Sequence, residues 1–159
     1  MSRFFSKVNL ALATALGVGY IPWAPGTFGT AFALALAVLF PALFWQSLWG
    51  LGLVVAFSFV TAGVCGLAEQ RLGHDNGRIV LDEVAGMWVA LLFLPRVWWV
   101  WLAAFILFRL FDITKPLGIG KLQSFKGGWG VMLDDIGAGL AANLLVQLAV
   151  LALHISPFA

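Results

Sequence analysis

The chain has 159 residues, of which 62% are hydrophobic and 10% charged, with a mean hydropathy of +1.01. A soluble domain carries about a quarter charged residues and at this size cannot hide so much apolar surface, so lipid is the solvent that fits. The net charge of +2 is small and its basic residues are scattered, so nucleic-acid binding has no support.

A spanning helix takes about 20 residues. Roughly five spans and their loops would therefore use up the chain as one integral membrane domain over residues 1–159. Cys65, the single cysteine, lies inside an apolar run, which predicts a buried, inert thiol and no intrachain disulfide.

Residues 2–20 carry Arg3 and Lys7, with Phe4 and Phe5 between them, and no signal-cleavage pattern follows. An interfacial or re-entrant helix is predicted there. Next comes Pro25-Gly26-Thr27-Phe28-Gly29-Thr30. Such a segment leaves backbone N–H groups and hydroxyls at a helix N-terminus, where phosphate binds well. It also reads as a plain turn and N-cap. Thr27 and Thr30 are candidate substrate contacts on the first reading.

Five apolar runs then stand out, at about Phe28 to Trp45, Leu48 to Ala68, Ile79 to Pro95, Val97 to Ile113 and Val131 to Leu153. Pro41 should kink or end the first. The predicted fold is all-α, a polytopic transmembrane bundle of about five spans plus the N-terminal helix. Two connections, Gln46-Ser47 and Pro95-Arg96, are short. The other two, from Glu69 to Arg78 and from Thr114 to Gly130, are long and polar. Arg3, Lys7, Arg71, Arg78, Lys115, Lys121 and Lys126 fall on the long-loop side, and only Arg96 on the other. Basic loops stay cytoplasmic, so the N-terminal segment and both long loops are expected there. Tryptophans 45, 49, 98, 99 and 101 mark the opposite interface.

Five of the seven carboxylates lie within or against apolar runs: Asp82, Glu83, Asp112, Asp134 and Asp135. The orientation above brings all five to cytoplasmic helix ends. A carboxylate within a span costs about 2.5–3.5 kcal/mol if central, and five together repel one another. A bound cation is the natural relief. The ligands on offer are all oxygen, which points to Mg²⁺ or a similar hard ion. The helix macrodipole offers a structural reason for acids at the N-terminal turns. It fails for Asp112, which lies at a helix C-terminus, although Arg109 or Lys115 can pair with it there. Ala85, Gly86, Ala138, Gly139 and Ala142 recur at helical spacing beside the acids, as close helix packing in lipid requires. Arg109, Lys115 and Lys126 are candidate phosphate contacts, and His74 a candidate for proton transfer. A Ser/His/Asp or Cys/His nucleophilic set is not evident, which favours metal-assisted chemistry.

Pro22-x-x-Pro25-Gly26-Thr27, His74-Asp75-x-Gly77, Asp82-Glu83-x-x-Gly86-Met87-Trp88, Phe108-Arg109-x-x-Asp112-x-x-Lys115-Pro116 and Asp134-Asp135 occur together and in this order. The set resembles the bacterial phosphatidylglycerophosphatase A family, over about residues 16–150. One departure is Leu117-Gly118-Ile119, where the family commonly has a further proline; it bears on loop shape alone. The resemblance implies a Mg²⁺-dependent phosphatase of the inner membrane, with its active site facing the cytoplasm. It would convert phosphatidylglycerophosphate to phosphatidylglycerol and phosphate. On this reading the five acids hold one or two Mg²⁺, and water or an aspartate attacks phosphorus. The competing readings are a small cation-coupled transporter or channel, which would place its acids near the midplane, and a non-enzymatic subunit that binds anionic lipid.

Overall fold

A computed structural model describes residues 3–74, 76–125 and 128–153. Among these the chain is helical and contains no strand. The helices are α1 (Arg3–Ala13), α2 (Pro25–Val38), α3 (Ala42–Trp45), α4 (Leu48–Leu72), α5 (Leu81–Leu91), α6 (Trp98–Thr114) and α7 (Gly128–Ala152). Short 3-10 segments lie at Val18–Tyr20 and Pro116–Ser124.

Among the described residues two helices, α4 and α7, are long and apolar enough to cross a membrane. Their 25 residues each rise about 37 Å. Many large apolar side chains on their outer surfaces are exposed, such as Trp49 at 85% and Leu148 at 62%. Water does not sustain so wide an apolar exterior, so the chain is a membrane protein.

The remaining apolar runs depart from five plain spans, and proline explains both departures. Pro41 is extended, with φ −63° and ψ 153°, and separates α2 from α3. The third run was expected to stay helical to Pro95. Instead α5 stops at Leu91, with Leu92 already extended at ψ 134°: Pro95 has no N–H to give the Leu91 carbonyl, and its ring would clash with that carbonyl in a continued helix. Phe93 takes a left-handed φ of 60° in the same turn.

A helix that ends early leaves its last carbonyls without partners, which is costly away from water. Distant side chains supply the donors here. Asn143 on α7 donates from Nδ2 to Ala90 O at 3.0 Å and to Leu92 O at 2.7 Å. Arg96 donates to Val38 O at 2.6 Å and to Phe40 O at 2.9 Å, closing the end of α2. The Trp45 indole N–H donates to Ala37 O and that of Trp88 to Ala33 O, each at 3.1 Å.

Glycine sets the spacing between the helices that carry the acids. A Cβ at Gly139 of α7 would lie 2.3 Å from Gly86 O of α5. At Gly128 it would lie 1.9 Å from Ala62 O of α4. The small-residue faces read from the sequence are therefore the contact faces, as packing in lipid demands. α1 lies against α4, where Asn9 Nδ2 donates to Val64 O at 3.1 Å. Its Phe4, Phe5, Val8 and Leu12 remain exposed, the apolar face expected of an interfacial helix. Cys65 is fully buried.

Candidate active site

The loop that follows α4, the start of α5, the end of α6 and the early turns of α7 meet at one end of the bundle. Between them lies a cavity of about 60 Å³, lined by Asp82, Glu83, Asp112, Asp134, Asp135 and Lys115 with Asn76, Gly77, Ile79 and Val131. All five predicted acids are thus in one place. Asp82, Asp134 and Asp135 are buried.

The carboxylates fall into two groups. Oxygen atoms of Asp82, Glu83 and Asp135 lie within 4.8 Å of one another, and so do those of Asp112, Asp134 and Asp135. Asp135 belongs to both groups. Among the described residues, Arg109 and Lys115 answer the acids. Arg109 Nη1 lies 2.5 Å from Asp112 Oδ2 and 3.9 Å from Glu83 Oε1. Lys115 Nζ donates to Asp134 Oδ2. Five carboxylates against two cations leave a formal excess of three negative charges among these residues.

Burial pulls the Lys115 ammonium towards neutrality. The hydrogen bond to Asp134 and the fields of Asp134, Asp112 and Asp135 outweigh that, and its pKa stands above 10.5. Lys115 itself takes a left-handed φ of 44° at the C-cap of α6, which turns the chain back over the acids.

The placement of the acids bears on the macrodipole. Asp82 and Glu83 sit in the first turn of α5. α7 begins at Gly128, earlier than the apolar run suggested, and its first turn contains no acid. The dipole therefore accounts poorly for Asp134 and Asp135. Arg109 does pair with Asp112, as helical spacing allows.

The residues also fit a cation. Glu83 Oε2 is buried without a hydrogen-bond partner, an unusual state for a carboxylate oxygen. The donor set is all oxygen, and the cavity exceeds the roughly 10–15 Å³ that one water needs. Asp82, Glu83, Asp112, Asp134 and Asp135 could hold such an ion.

The other predicted residues divide. Gly26 at the start of α2 abuts the acidic group: a Cβ there would lie 2.2 Å from Glu83 Oε1 and 3.0 Å from both Arg109 Nη atoms. Thr30 is fully buried and donates its hydroxyl to Gly26 O at 2.8 Å, so it braces that turn and does not face the cavity. Thr27 is half-buried and is not part of the lining. His74 also stands outside the lining; it is exposed, with Nδ1 2.6 Å from Glu69 Oε1. Lys126 and Asp75 lie outside the described residues. Sequence reading passed over Asn76, whose side chain donates to Leu72 O at 2.7 Å and accepts from the Arg78 N–H at 3.1 Å. The Asn-Gly dipeptide at 76–77 was the available signal, since it marks turns.

The family model described as phosphatidylglycerophosphatase A matches residues 11–150. A Bacteroides thetaiotaomicron protein whose name proposes a phosphatidylinositol-3-phosphatase is 43% identical over 153 residues, 91% of this chain and 94% of its own. Phosphatidylglycerophosphatase A of Escherichia coli K12 is 39% identical over 138 residues, covering 84% of this chain and 79% of its own. That of Haemophilus influenzae is 36% identical over 138 residues, covering 85% and 84%. No solved structure matches the chain.

Fold, cavity and relatives together define a helical membrane enzyme, a phosphoric monoester hydrolase with a phospholipid substrate. The chain belongs to the phosphatidylglycerophosphatase A family.

Proposed function

We propose that the acidic cavity hydrolyses phosphatidylglycerophosphate to phosphatidylglycerol and phosphate, with Mg²⁺ held by Asp82, Glu83, Asp112, Asp134 and Asp135. The observation that carries this reading is the pair of carboxylate groups sharing Asp135. Each group suits a hard cation, and paired cations are a recurrent solution for phosphoryl transfer. A divalent ion bound there supplies Lewis acidity to the phosphoryl oxygens and to water.

The chain's own groups do the rest. Arg109 and Lys115 neutralise phosphate oxygens, moving from Asp112 and Asp134 to the substrate. The packing of Gly26 against Glu83 and Arg109 holds both side chains in place beside the cavity. His74, with Nδ1 engaged by Glu69, is the proton-transfer candidate for the leaving glycerol oxygen. Thr27 and Lys126 remain candidate contacts for the headgroup.

We place the site at the cytoplasmic face of a bacterial inner membrane, on the side of the basic loops, in one integral membrane domain. The five spans of this reading are α2 with α3, α4, α5 with the non-helical Leu92–Val97 segment, α6 and α7, with α1 in the interface. An ion pathway is not favoured, because the family is one of phosphatases and the acids gather at one end of the bundle.

The test is phosphate release by the detergent-purified chain, with Mg²⁺ and with chelator. The name of the Bacteroides relative brings phosphatidylinositol 3-phosphate into the same assay. Mg²⁺-dependent release from phosphatidylglycerophosphate is expected. Release that persists in chelator would remove the metal, and no release from either lipid would remove the reading.

A further inference from the structure

A second concavity stands beside the acidic one. It is a groove of about 350 Å³ between α1 and the 3-10 turn that follows it, with Lys7, Leu10, Leu16 and Tyr20 among its walls. Its α1 wall is not the apolar face of Phe4, Phe5, Val8 and Leu12. At about 100° per residue, Lys7, Leu10, Ala11 and Thr14 occupy a neighbouring face.

Groove and cavity share one strip of chain. The segment Asn76–Ile79 contributes Asn76, Gly77 and Ile79 to the acidic cavity. Between them, Arg78 turns the other way, and its guanidinium carbon lies 5.5 Å from the centroid of the Tyr20 ring. The strip and the residue after it are held against the end of α1 and the turn that follows. The Val80 N–H donates to Ala13 O at 2.9 Å. Gly19 meets the backbone of Arg78 so closely that a Cβ there would lie 2.0 Å from Arg78 O.

The charge of the groove is opposite to that of the cavity. Lys7 lines it and Arg78 lies over the Tyr20 ring of its wall, and among the described residues no carboxylate forms a salt bridge with either. A cation stacked on an aromatic ring keeps its in-plane donors available. The alternation is therefore acidic cavity, one residue of chain, basic and partly apolar groove.

The substrate alternates in the same way. Phosphatidylglycerophosphate carries a terminal phosphomonoester, a three-carbon glycerol, a phosphodiester and then the diacylglycerol. We infer that the groove between α1 and Tyr20 is the subsite for the phosphodiester and adjoining glyceride of the lipid whose terminal phosphate occupies the acidic cavity. Arg78 is the principal anion contact and Lys7 the second. This rests on the function proposed above and deepens it, because it makes the enzyme a reader of two phosphates. Lipids with a monoester but no phosphodiester, such as phosphatidic acid, lose half of that recognition.

The test measures binding apart from turnover. Dioctanoyl phosphatidylglycerol carries the phosphodiester and no monoester; dioctanoylglycerol carries neither. Binding of each to the detergent-purified full chain is followed by microscale thermophoresis, in chelator, for wild type, Arg78→Gln and Lys7→Gln. Phosphatidylglycerol is expected to bind the wild type and to weaken about tenfold in Arg78→Gln, the scale of a charge-assisted contact. A smaller loss is expected in Lys7→Gln, and dioctanoylglycerol should bind all three proteins alike. Equal phosphatidylglycerol affinity in the three proteins, no binding to wild type, or a parallel loss for both ligands would each overturn the subsite. Phosphate release by the wild type is measured alongside. Turnover without phosphodiester discrimination removes the subsite alone, and discrimination without turnover removes the assignment of the acidic cavity.

Discussion

Gly139→Ala is the substitution that most sharply tests how the fold builds the site. The added Cβ would meet Gly86 O at 2.3 Å, and ordinary contact begins near 3.4 Å. The obstacle is helix backbone, which cannot rotate away, so α7 must back off from α5 by about 1 Å. Asp135 lies one turn before Gly139, and Asp82 and Glu83 lie one turn before Gly86. The displacement therefore opens the first carboxylate group directly. A 1 Å misplacement of reacting groups costs up to about a hundredfold in rate, and we expect phosphate release to fall by about that factor. Gly63→Ala on α4 is the control, since nothing lies within 4 Å of its added Cβ; it should match the wild type in rate. Both proteins are assayed in the same detergent, with thermal unfolding followed by tryptophan fluorescence. A Gly139→Ala enzyme with full activity and an unchanged melting temperature would refute the claim that this contact sets the geometry of the acids.

Other outcomes follow from the same contacts. Asp135→Asn removes the carboxylate common to both groups, and phosphate release should drop by at least about a hundredfold while the melting temperature stays within a few degrees. Asn143→Leu leaves the Ala90 and Leu92 carbonyls buried without their donors; at about 1–3 kcal/mol for each unsatisfied group, a clearly lower midpoint in thermal unfolding is expected. Lys115 has its pKa raised in the fold, so its pairing with Asp134 stabilises the protein fully below pH 10.5 and is lost as pH rises through the higher folded value. The stability gap between wild type and Lys115→Met should therefore hold steady through neutral pH and close only in strong alkali, as read from unfolding midpoints across a pH series.

Much of the site was legible because acids in apolar runs are conspicuous. Asp82, Glu83, Asp112, Asp134 and Asp135 each break a hydrophobic stretch, and loop charge alone was enough to bring them to one end. Gly86 and Gly139 were legible as packing residues, though not as a pair meeting each other. The helix ends were less so. The stop at Leu91 depends on Asn143, more than fifty residues away, receiving the freed carbonyls, and that of α2 depends on Arg96. A lone asparagine in an apolar helix, or a lone arginine in a short turn, does not announce which distant carbonyl it will meet. His74 was read as lying in the loop beside the acids because that loop precedes Asp82. Its contact with Glu69, five residues earlier and across the turn at Gly73, where φ is 98°, was not legible. Local spacing rules for helices do not reach over such a turn.

If the proposed function holds with an ion in each carboxylate group, Asp135 joins two cation positions. Manganese substitutes for magnesium in oxygen-ligand sites and is visible by electron paramagnetic resonance. Titrating Mn²⁺ into the detergent-purified, lipid-free chain should give two ions per chain with the signature of a spin-coupled pair. In Asp135→Asn the coupling should disappear. A wild type that binds a single uncoupled ion, or none, would contradict the account.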